Sequence, residues 1–187
     1  MFRYLVGIGM GILMIVWSPC SYAQDTKTEQ VVVPTEAEAH FRQGMLYAKQ
    51  ESYKNAILEF EKALELYPCH ICDVCEVNAN ITSCYADAYA NLGVVYIAQN
   101  KLNLAVENLK KAVSLDKKMK RKNGLAYYNL AVVHSLREEL DLGIEALDNA
   151  LEQGFNEIEA LRGDPDLKNL RKHPEFTKTL EKHHIFL

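Results

Sequence analysis

The chain has 187 residues, 49% of them apolar and 25% charged, a balance close to that of ordinary globular domains, which excludes wholesale disorder and a polytopic membrane protein. Its 21 Lys and Arg stand against 25 Asp and Glu, a formal net charge of −4, so a general nucleic-acid binder with a basic footprint is excluded as well.

The chain opens on "MFRYLVGIGMGILMIVW", one positive charge at Arg3 followed by an uncharged run from Tyr4 to Trp17. That run is short for a membrane span and suits the core of a signal peptide. Pro19, Ser21 and Ala23 then supply a helix breaker and small residues, which predicts cleavage after Ala23, a mature start at Gln24 and a periplasmic or secreted product. Two alternatives remain: a retained N-terminal anchor, the one case in which the chain would contact a membrane, and lipidation of Cys20, for which Pro19 is a poor neighbour. Residues 24–35 are polar and read as a flexible lead.

From Ala37 the pattern becomes helical and self-similar. The segments "AEAHFRQGMLYAKQESYKNAILEFEKALELYP", "ADAYANLGVVYIAQNKLNLAVENLKKAVSLD" and "GLAYYNLAVVHSLREELDLGIEALDNALEQG" share a small residue in mid-helix, a ring three residues later, a polar turn, a second small residue and a large apolar one four further on. The positions are Gly44, Tyr47, Ala56, Phe60, Ala63 and Pro68; then Tyr89, Leu92, Gly93, Tyr96, Ala105, Leu109 and Ala112; then Tyr127, Leu130, Ala131, His134, Gly143, Leu147 and Ala150. This resembles the tetratricopeptide repeat, a helix–turn–helix of about 34 residues in which small residues let two helices approach and large ones fill the grooves between them. Gln43, where the motif prefers Leu, and Lys117, where Pro is usual, are departures. The expected fold is all-α: a solenoid of three repeats, about 37–70, 86–119 and 124–157, followed by capping helices over 156–183. In the last segment Gly154 suits a helix stop, Asn156 with Glu159 a capping box, and Asp164-Pro165 and Pro174 two further helix starts.

From Gly44 to Gly93 is 49 residues and from Gly93 to Ala131 is 38, so both junctions exceed the period. The first excess, 69–85, holds four of the five cysteines: Cys69, Cys72, Cys75 and Cys84. Apolar residues from Val74 onward recur at threes and fours, as if the next helix began near Asp73. On one helix Cys75 and Cys84 would lie about 13 Å apart, beyond disulfide reach, which leaves Cys69 or Cys72 to pair with Cys84. Export favours two disulfides pinning the loop. The alternatives are a tetrathiolate metal or cluster site on the same four residues and a redox pair at Cys72 and Cys75; c-type haem fails because Asp73 and Glu76 stand where His is required.

The second excess, "KKMKRKN", is a basic tip of Lys117, Lys118, Lys120, Arg121 and Lys122, either a solvated turn or a contact for an anionic partner. No phosphate loop, HExxH pair or GxSxG elbow is present, and the six histidines show no ligand spacing, so no enzymatic activity and no cofactor are expected. His183 and His184 read as a polar terminus, and His134 as a core residue in a ring position. The resemblance implies a concave groove lined by the first helix of each repeat: here Phe41 and Met45, Ala90, Val94 and Ile97, and Tyr128 and Val132. Such an apolar lining suits an amphipathic helix or an extended apolar peptide. Phe41 and Met45 also stand where chaperone-binding relatives carry their carboxylate clamp. The expected function is that of an exported protein–protein interaction adaptor with an unidentified protein or peptide partner; the alternative is a thiol-based metal or redox protein.

Overall fold

A computed structural model describes residues 3–6, 12–15, 35–66 and 79–186. Eight α-helices are found among them: α1 (Thr35–Lys49), α2 (Tyr53–Leu66), α3 (Ala79–Ala98), α4 (Leu102–Lys118), α5 (Gly124–Leu136), α6 (Leu140–Glu152), α7 (Ile158–Gly163) and α8 (Pro174–Lys182). Two 3₁₀ turns, Pro165–Leu167 and Leu170–Lys172, separate α7 from α8. Strands β1 (Arg3–Val6) and β2 (Ile12–Ile15) form an antiparallel pair with Arg3 opposite Ile15 and Val6 opposite Ile12. This hairpin is an addition to the helical expectation, and β2 lies against α3.

The helices pack as consecutive antiparallel pairs, α1 with α2, α3 with α4 and α5 with α6, and the pairs stack through α2 on α3 and α4 on α5. Close approach is what the small residues permit. A Cβ built on Gly44 would lie 2.8 Å from the ring of Phe60, and one on Gly93 would lie 2.6 Å from Leu109 Cγ. Each glycine therefore faces the large residue that the pattern places opposite it.

One turn is used in every pair. α1, α3 and α5 each end with the next-but-one residue in the left-handed region, Glu51 (φ 58°), Asn100 (φ 55°) and Glu138 (φ 61°). The following amide donates back to the third residue from the helix end: Ser52 to Tyr47, Lys101 to Tyr96 and Glu139 to His134. This is the Schellman closure, and it also ends α4, α6 and α8, at Lys120, Gly154 and His184. Gly154 is thus the stop that the sequence suggests.

The C-terminal segment packs on the last pair: the first 3₁₀ turn on α5, and the second turn and α8 on α6. Leu161, Leu167, Leu170, Phe176 and Leu180 are all buried there. Asp164 caps the first 3₁₀ turn by accepting from the Asp166 amide at 2.9 Å, with Pro165 next, and His173 caps α8 ahead of Pro174. The expected capping box at Asn156 and Glu159 is corrected: α7 starts at Ile158 with Glu157 as its N-cap and no side-chain cap bond. The Asn156 carbonyl instead accepts from the Ile158 amide.

Residues 24–34 of the expected lead, Ala23, and residues 69–78 of the insert, with the early helix start near Asp73, lie outside the described residues. Residues 79–85, counted with the insert, form the first turns of α3.

Candidate partner-binding site

Every residue of α5 from Gly124 to Ser135 is buried, as are most residues of α3 from Cys84 to Ala98. All seven residues expected to line the groove share this enclosure, none more than 8% exposed. The picture of an open apolar lining is therefore corrected. The Phe41 ring packs against Phe60 with centroids 5.8 Å apart, within the first repeat. Tyr128 serves the C-terminal segment: its ring stacks on Phe155 at 4.2 Å, and its hydroxyl donates to Asp164 Oδ2 at 2.5 Å. Burial and the neighbouring Asp164 carboxylate push the Tyr128 pKa up. Met45 and Val132 belong to the shared core. Ala90, Val94 and Ile97 follow at threes and fours along α3, the helix that β2 lies against.

Two polar residues stand in this interior. Asn91 on α3 and Asn129 on α5 are 1% and 2% exposed. The offset of 38 residues that aligns Gly93 with Ala131 also aligns these two, a signal present in the sequence that motif matching passes over. The Nδ2 of Asn129 is buried and has no hydrogen-bond acceptor. Leaving such a donor unpaired costs about 1–3 kcal/mol.

The basic tip divides. Lys117, Lys118, Lys120 and Lys122 are exposed, with Lys117 Nζ 5.8 Å from the centre of the Tyr127 ring. Arg121 turns inward instead. Its Nη2 donates to Asp87 Oδ1 and its Nε to Asp116 Oδ1, both at 2.5 Å, while Asn123 Nδ2 donates to Asp116 Oδ2 at 2.9 Å. Burial pushes the carboxyls of Asp87 and Asp116 up, and the guanidinium pulls the other way. Arg121 thus joins α3 to the junction of α4 and α5 and is neither part of a solvated turn nor open to an anionic partner, because two buried carboxylates need it.

His134 is buried as expected and its Nδ1 lies 2.7 Å from Glu139 Oε2. His183 is held rather than free: its Nε2 lies 2.7 Å from Asp148 Oδ1, beside Glu152. Asp148, Glu152 and His183 are one group that could hold a cation, but Lys182 Nζ already contacts both Asp148 oxygens, at 2.7 and 2.8 Å. Cys84 is buried. Cys69, Cys72 and Cys75 lie outside the described residues, as does Cys20. Among the described residues no helix is long and apolar enough to cross a membrane.

Family models agree with the helical pairing. Residues 37–68, over α1 and α2, match a tetratricopeptide repeat, and residues 86–119, over α3 and α4, match a second model of the same repeat. A search of curated proteins returned no match. α5 and α6 repeat the same antiparallel pairing and the same turn without a model match of their own. These repeats are protein–protein interaction modules, and with two of them matched and the helix pairs stacked around one core, the chain belongs to the tetratricopeptide repeat proteins.

Proposed function

We propose that the protein is an exported, non-enzymatic adaptor, matured by cleavage after Ala23 in the periplasm or outside the cell, that binds a segment of a protein partner through its stacked repeats. The observation that carries this reading is the pair of matched tetratricopeptide repeats over α1–α2 and α3–α4, which are protein–protein interaction modules.

Cys84 then belongs to a disulfide that staples the insert, which an oxidising destination favours over a thiolate metal site. The exposed lysines of the tip, flanking the Arg121 latch, are a solvated turn in this reading.

The test has two arms. Intact mass of protein from the exported compartment, alkylated with and without reduction, is expected to show loss of residues 1–23 and alkylation only after reduction; a full-length mass or free thiols would overturn the export reading. Fluorescence anisotropy against a panel of apolar extended and amphipathic helical peptides is expected to find a binder of the folded protein; a panel in which nothing binds would overturn the adaptor reading.

A further inference from the structure

α3 and α5 each have the second helix of a preceding pair packed on them, α2 and α4, whereas α1 begins the stack. The face concerned holds Ala88, Leu92 and Val95 on α3, and Ala126, Leu130 and Val133 on α5, none more than 6% exposed. The offsets that align Gly44, Gly93 and Ala131 carry these positions back to Ala39, Gln43 and Leu46 on α1. There the face is uncovered: Ala39 is exposed, Gln43 is half-buried and Leu46 is 48% exposed. It lies on the side of the helix opposite Phe41, Gly44 and Ala48, which are buried. The far end of the stack is closed, because the C-terminal segment packs on α6. End-to-end contact between copies therefore leaves α1 to meet α1 in a closed pair.

We propose that this face of α1 is a self-association surface, on which a second copy of the chain docks its own α1 antiparallel about a twofold axis. The sequence of the face is complementary to itself in that direction. With the axis between Gln43 and Gly44, Leu46 of one copy stands level with the gap between Ala39 and Gln43 of the other, a large side chain entering a groove beside a small one. In the same register Lys49 stands level with Glu38 on the same flank, and the twofold axis makes both contacts twice. A parallel pair would instead set Lys49 against Lys49 and Glu38 against Glu38. α1 has 15 residues, a length of about 22 Å. One face of that length offers a few hundred Å² at most, short of the roughly 800 Å² per partner of a lasting complex. The pair is accordingly reversible, with a dissociation constant of about 10–100 μM. Self-association does not depend on the adaptor reading, but it would make such an adaptor bivalent.

The experiment is sedimentation velocity on the purified protein from about 1 to 300 μM, a range that brackets the expected constant. The weight-average mass is expected to rise from one chain toward two. Leu46→Lys, which alters a side chain already exposed in the single copy, is expected to remain monomeric throughout with an unchanged circular dichroism spectrum. Lys49→Glu is expected to weaken association about tenfold, and Glu38→Lys added to it to restore the pair. A monomer at every concentration, or a dimer indifferent to Leu46→Lys, would overturn the proposal. Failure of the charge swap to restore association, with the helical signal intact, would overturn the antiparallel register.

Discussion

At the scale of single residues, the structure places several side chains where their ordinary preferences are opposed. Glu138 sits at φ 61° to close α5. A left-handed L-residue costs about 1–2 kcal/mol, and glycine gives back part of that in backbone entropy, so Glu138→Gly is expected to stabilise by about 0.5 kcal/mol, read as a higher urea midpoint at unchanged slope. Arg121 shows the opposite case. Arg121→Leu leaves the buried Asp87 and Asp116 unneutralised and is expected to cost about 3–5 kcal/mol at pH 7 in chemical denaturation. Part of that loss is expected to return as the buffer is made acidic, because protonation removes the stranded charges. Asp166 carries a milder version of the conflict: burial, then the nearby Asp164 carboxylate, pushes its pKa up to about 6 from 3.8. A carboxyl raised in the folded state adds stability below its unfolded pKa and loses it as pH rises through about 6. Melting temperature is therefore expected to fall from pH 5 to pH 7 by an amount that Asp166→Asn abolishes. Asp116 lies only five residues before Arg121, but the second carboxylate, Asp87, lies 34 residues earlier on α3, so the local sequence reads as a basic run and hides the latch. Gly93 and Leu109, by contrast, are legible from spacing, because both belong to one helix pair.

At the scale of elements, the turn after each first helix is the most regular feature of the molecule, yet its left-handed residues are Glu51, Asn100 and Glu138. Nothing in glutamate announces that conformation. What fixes it is the packing of the two helices it joins, so the turn was legible as a polar break but not as a Schellman closure. The element least anticipated is the joint between α5 and the C-terminal segment. There Tyr128 meets Asp164, and Ser135 Oγ donates to the Asp166 carbonyl at 2.6 Å. Tyr128→Phe removes one donor from a buried carboxylate and is expected to cost about 1–3 kcal/mol. Hydrogen exchange is expected to show the loss first over residues 158–172, with α1 and α2 unchanged. Tyr128 occupies a repeat position that ordinarily faces inward, and periodicity gives no warning that a later segment of chain will come back to claim it.

At the scale of the whole molecule, the repeats form one continuous core rather than a row of independent units. Truncation after Asn156 would remove the five buried side chains at Leu161, Leu167, Leu170, Phe176 and Leu180. At about 1.5–3 kcal/mol each, their loss rivals the entire stability of an ordinary domain, so the truncated chain is expected to unfold or self-associate, as light scattering after gel filtration would show. The three-repeat architecture was readable because neighbouring helices in sequence are neighbours in space. The groove was not, because its apolar residues are the same ones a buried core would use, and composition does not separate the two. The total enclosure of α5 also sets a schedule. A helix wrapped on every side by α4, α6 and the C-terminal segment has no stable resting place until the last third of the chain has been made. Such a late-arriving keystone acts as a clock, keeping the chain pliable for as long as its tail is still on the ribosome.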